Sequence, residues 1–163
     1  MDHVTVPTGL TYPDLVSAFE REVPRWNPMA VLERLASWRE ITEEIERIAP
    51  PHGLVMPHRV NHGAVTSLAG SVKRCAFYLV GNPLVAERIL AADIRASLSL
   101  PLRVALYDEG GPSGACIAYE RPSATLGELG EALDRQLASV ASSCCAVTSR
   151  EISLVRVPVP WQE

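Results

Sequence analysis

Lysine is almost missing from this chain: Lys73 stands alone beside fourteen arginines, out of fifteen basic residues in 163. Against nineteen acidic residues these leave a net charge of −4, and the clustered cations that phosphate backbones require are absent, which argues against a nucleic-acid partner. No stretch nears the ~18 consecutive apolar residues of a membrane span. The start, Met1-Asp2-His3-Val4, lacks the basic and apolar segments of a secretory signal, so a cytoplasmic location is the expectation. The four cysteines, Cys75, Cys116, Cys144 and Cys145, contain no Cys-x-x-Cys spacing, which removes zinc ribbons and thioredoxin-like sites. The chain also lacks a Gly-x-Ser-x-Gly elbow, a Walker loop and a dinucleotide fingerprint. Gly110-Gly111-Pro112 reads as a hairpin turn, since proline removes an N–H that a phosphate loop would use.

What is present is a globular composition, 47% hydrophobic and 21% charged, in a length that fits a single domain over 1–163. The pattern predicts a strand over 3–8 and a helix over 12–23 ended by Pro24. Asn27 and Pro28 then open an amphipathic helix over 28–49. Its apolar stripe runs through Val31, Leu35, Trp38, Ile41, Ile45 and Ile48. Residues 54–60 read as a strand, Asn61 caps a short helix closed by Gly70, and Cys75 to Val80 form a buried strand. Asn82 and Pro83 start a helix over 83–92, and 93–100 return irregularly.

A hairpin turning at Glu109 to Ser113 pairs Leu102 with Tyr119, Val104 with Ile117 and Leu106 with Ala115. Arg103, Tyr107, Cys116, Ala118 and Glu120 take the opposite face, with Arg103 and Glu120 diagonal neighbours. Thr125-Leu126-Gly127-Glu128 has the form of a capping box that opens a helix with Leu129, Leu133, Leu137, Val140 and Cys144 on one stripe, so Cys144 reads as buried rather than reactive. A C-terminal arm over 150–163 contains Pro158 and Pro160, which confine it to an edge or an extended crossing to a second subunit.

Between Asn61 and Pro122 several spaced motifs occur in order: Asn61-His62, Gly81-Asn82-Pro83, Leu98-Ser99-Leu100-Pro101-Leu102-Arg103-Val104 and Ala118-Tyr119-Glu120-Arg121-Pro122. This pattern resembles the domain of unknown function 302 family. The resemblance implies an α+β fold like the TATA-binding protein, with a curved antiparallel sheet, helices packed on one face, and assembly as a homodimer. It implies no established reaction or cofactor. The family-like core is about 54–145, and the helix over 28–49 reads as an insertion. Asn61 stands where the family usually has Asp.

Three arrangements of residues have chemical potential. His52, His58 and His62 are possible metal ligands, but an extended 54–60 would hold His58 and His62 ~13 Å apart. His62 as general acid or base, with Glu120 as a carboxylate, would suit a cofactor-independent isomerase, cyclase or lyase. Asn82 at a helix start, with Arg103, Tyr107 and Tyr119, would hold a small organic ligand on the sheet face bearing Arg103 and Glu120, roofed by the helix over 28–49. The leading expectation is therefore a homodimeric small-molecule-binding domain without metal or cofactor. The enzyme using His62 is the alternative, and a non-catalytic interaction protein is a third.

Overall fold

The computed structural model describes residues 3–34, 37–112 and 114–145; the expected arm over 150–163 lies outside them. Five strands form one antiparallel sheet in the order β1-β5-β4-β3-β2, where β1 is His3–Pro7, β2 Val55–Val60, β3 Arg74–Gly81, β4 Leu102–Asp108 and β5 Cys116–Glu120. Helices α1 (Tyr12–Glu22), α5 (Pro83–Ala92) and α7 (Glu131–Ser143) cover one face. Leu15, Phe19, Ile89, Leu133 and Leu137 meet Val4, Tyr78, Val104 and Ile117 in the main core. The other face carries the alternate residues of each strand, as the strict alternation along β3 shows. The class is α+β, and among the described residues no helix is long and apolar enough to cross a membrane.

Three local expectations need correction. The helix over 28–49 is two helices, α2 (Pro28–Arg34) and α3 (Trp38–Ile48). Ser37 is extended between them and forms a reciprocal capping box with Glu40, so its side chain starts a new helix in the middle of an apolar stripe that continues in register. Ile45 of that stripe packs with Ala49, Val55, Trp26 and Leu84 in a second, smaller core, while Trp38 is half-exposed and Leu35 is outside the described residues.

The expected capping box at Thr125 does not form. Pro122–Leu126 is a short helix, α6, and a 3-10 turn over Gly127–Gly130 separates it from α7. Gly127 sits at φ 58 and breaks the helix there. A side chain at Gly130 would strike the Pro122 and Ser123 backbone at 2.6 Å.

The hairpin is shifted by two residues: Val104 pairs with Tyr119 and Leu106 with Ile117. Ala115 is engaged by the first strand's continuation instead, donating to Leu10 (2.9 Å) and accepting from Thr8 (3.1 Å). The turn is opened by Asp108, whose carboxylate accepts the Gly110 N–H at 2.7 Å. An even shift preserves every residue's face, so the apolar side and the Arg103 side are as the alternation predicts. Asn61 caps α4 (His62–Ser67) and Gly70 is left-handed beyond it, as expected.

Candidate functional site

The shifted register puts Arg103 directly across from Glu120, and the guanidinium donates to the Glu120 Oε2 through both Nε (3.1 Å) and Nη2. Donor and acceptor consume each other at a surface depression of only about 20 Å³. Its lining includes Leu102, Arg121 and Pro122 and no residue of 28–49. The expected roof is therefore elsewhere, because α3 packs on β2 and α5.

The other expected site residues are dispersed. Tyr107 lies on the same face as Arg103 but four residues along β4, roughly 13 Å away. Tyr119 points into the helix-covered core and is buried; burial raises the hydroxyl pKa of both tyrosines. His62 is exposed at the start of α4, its ring stacked on Phe77 with centroids 5.8 Å apart. Phe77 is on β3, two strands from the one that carries Glu120, roughly 10 Å. His58 is also exposed, and no group of three His, Cys, Asp or Glu among the described residues could hold a metal ion.

Asn82 is the exception, because it lies at a real cavity. Its Oδ1 accepts the Leu84 N–H (2.8 Å) and the Val85 N–H (3.4 Å), and its Nδ2 donates to the Gly53 carbonyl (2.8 Å). The amide thus caps α5 and locks the turn before β2, and it is spent on that work.

The cavity arises from an irregularity in β2. The β2–β3 register slips between Val55 and His58, where Pro57 has no N–H to offer a ladder. The freed edge is taken by the segment after α1: Trp26 donates to the Met56 carbonyl (3.0 Å) and Met56 to the Pro24 carbonyl (2.8 Å). Between this bulge and α5 lies a space of about 280 Å³, walled by Trp26, Val55, Pro57, Leu90, Pro101 and Leu133. An apolar cavity of about 150 Å³ can take benzene, so this one has room for a small organic body. Trp26 Nε1 is buried without an acceptor among the described residues.

On the other side of Trp26 and Pro57 is a second, more polar cavity of about 530 Å³, lined also by Arg25, Asn27, Met56, His58 and Arg59. Arg59 Nη1 is 3.0 Å from Glu20 Oε1, and its guanidinium lies 5.7 Å from the Tyr78 ring centre. Tyr78 donates its hydroxyl to the same Glu20 oxygen at 3.0 Å. Burial, with the Glu20 charge beside it, pushes the Tyr78 hydroxyl pKa well up. Arg59 Nε is enclosed and has no acceptor, and Arg25 makes no ion pair among the described residues. Arg25 and Arg59 both line this space, and Glu20 is the one carboxylate paired with either of them among the described residues.

Sequence reasoning missed Arg25, Trp26 and Arg59, and only Pro57 inside a predicted strand hinted at the bulge that gathers them. It also missed a buried relay in which His52 bonds Glu22 Oε2 through Nε2 (2.8 Å) and Ser139 Oγ through Nδ1 (2.9 Å). That relay joins α1, the turn before β2 and α7, and none of its members lines the three cavities described above. Burial raises all four thiol pKa values, with Cys144 pushed up to about 12.

No curated protein matches the chain. Among solved structures, that of an uncharacterized conserved DUF302 protein from Bacillus stearothermophilus superposes with a TM-score of 0.62 at 16% identity, over 88% of this chain and 98% of the other. At that identity the likeness shows a shared fold. The model of the family described as domain of unknown function DUF302 matches residues 31–147, most of the chain and all of β2 to β5, and the protein belongs to the DUF302 family.

Proposed function

We propose that this domain binds a small organic molecule in the cavity between the β2 bulge and α5. The observation that carries this reading is an apolar space of about 280 Å³ walled by Trp26, Val55, Pro57, Leu90 and Leu133. A concave, mostly apolar lining with few polar atoms is the usual form of a small-molecule site. The Arg103–Glu120 face supports ligand binding less well, since its charges already pair. Acid–base work at His62 has less support, because no carboxylate pairs with that ring among the described residues.

Self-association as a homodimer is part of the proposal. Its support is the sheet face opposite α1, α5 and α7, with small side chains Thr5, Ala105 and Ala118 in one cross-strand row, and the exposed Val65, Leu68 and Val72 on α4 and its exit. Light scattering coupled to size exclusion tests it: a dimer mass that falls to the monomer in Leu68→Asp is expected, and a monomer throughout rejects it.

The ligand site is tested by titrating 1-octanol calorimetrically into wild type and Ala86→Phe, which fills the cavity from α5. One-to-one binding in wild type, weakened about 100-fold or more in the variant, is expected. Equal affinity in both proteins overturns the site.

A further inference from the structure

Resting on that cavity reading, we infer that the ligand is an amphipathic organic anion, with an apolar body beside Trp26 and a carboxylate held by Arg25 and Arg59. The two cavities adjoin, with Trp26 and Pro57 lining both, so an apolar body beside Trp26 in the first would bring its head group next to the lining of the second. One side is apolar and the other presents two guanidinium groups and His58.

Charge and hydrogen-bond capacity favour an anion there. Glu20 engages one amino group of Arg59, Nη1, and the other, Nη2, has no partner among the described residues. A carboxylate oxygen is the acceptor that would engage such a guanidinium N–H most strongly. Arg25 is exposed and makes no ion pair among the described residues, so it can close on the second oxygen. Glu20 and the Tyr78 hydroxyl are already bonded to each other, which keeps the nearest carboxylate occupied. Asn27 Oδ1 is committed to the Met29 and Ala30 N–H groups at 3.1 and 3.2 Å, so what its amide has left to offer is the Nδ2 donor, which also suits an anion. A neutral ligand would leave the Arg59 Nη2 without a charged acceptor, and a cation would meet two arginines.

Matched probes of equal chain length separate the head group from the body. Octanoate and 1-octanol are titrated at neutral pH into wild type, Arg25→Gln and Arg59→Gln, with thermal melts confirming that each variant folds. Octanoate should bind wild type at least about tenfold more tightly than octanol, and each variant should lose about tenfold for octanoate with octanol unchanged within about twofold. If Arg59→Gln fails to fold, Arg25→Gln alone decides, since that side chain is exposed and unpaired. Octanol binding as tightly as octanoate would overturn the anion and leave the cavity reading standing. An octanoate preference that survives both substitutions would place the anion elsewhere and overturn the inference. No binding of either probe would remove both readings.

Discussion

Two arginine–glutamate pairs on the same sheet have opposite consequences. Arg103 and Glu120 meet across β4 and β5 with side chains 49% and 25% exposed, and the guanidinium uses two nitrogens on one carboxylate. Arg59 and Glu20, 29% and 27% exposed, meet through one nitrogen, while the same carboxylate takes the Tyr78 hydroxyl. The first pair is closed over a depression of about 20 Å³; the second borders a cavity of about 530 Å³ and retains a buried donor. Having the right charges is therefore not what makes a binding site. What matters is whether the pair lies beside a space large enough to hold a ligand.

The contrast can be broken by mutation. Removing Arg59 leaves the partly buried Glu20 charge without its cation, held only by the Tyr78 hydroxyl, so Arg59→Gln should cost about 2 kcal/mol in urea unfolding. Arg103→Gln, at a half-exposed site, should cost less than about 1 kcal/mol. Equal losses would mean that the two pairs are energetically alike and would remove the basis of the comparison. Asn82→Ala lies between them in size: it removes the α5 cap and the bond to Gly53, at about 1–2 kcal/mol. A loss below about 0.3 kcal/mol would show that this amide is not holding the cavity's mouth.

Alkaline pH probes the helix-covered core and the open face together. Burial raises the pKa of all four cysteines and all four tyrosines. Below their ordinary values, ~8.5 for a thiol and ~10 for tyrosine, both folded and unfolded chains are protonated and stability is complete. Above them the unfolded chain ionises first and binds fewer protons, so stability falls as pH rises. Urea midpoints should hold between pH 7 and about 8.5 and drop beyond; a flat profile to pH 11 would contradict this burial pattern.

Much of the fold was legible because it is local. Asn82-Pro83 and Asn61 mark helix starts by their own hydrogen bonds, and the alternation in β3 to β5 sorted every residue to its face. The two-residue slip in the hairpin was illegible for the same reason, since a period of two is blind to an even shift. Only the pairing of Ala115 with Leu10 and Thr8, over a hundred residues away in sequence, settles it. The break at Ser37 hid inside an uninterrupted apolar stripe, where Ser37 and Glu40 were an unread capping box. The cavity was less legible still, because segments around 25, 56, 82 and 101 converge on it, and the motifs at 81–83 and 98–104 do not reveal that convergence. Asn82 was selected for a different role, and Arg103 and Glu120 were selected because two charges facing each other look like chemistry from sequence alone.

A crystal structure of the protein grown with octanoate tests the central claim most directly. The account predicts the chain lying between Trp26, Val55 and Leu133 with its carboxylate bonded to Arg25 or Arg59. An empty cavity, with ordered octanoate at Arg103 or on the open sheet face instead, would contradict it.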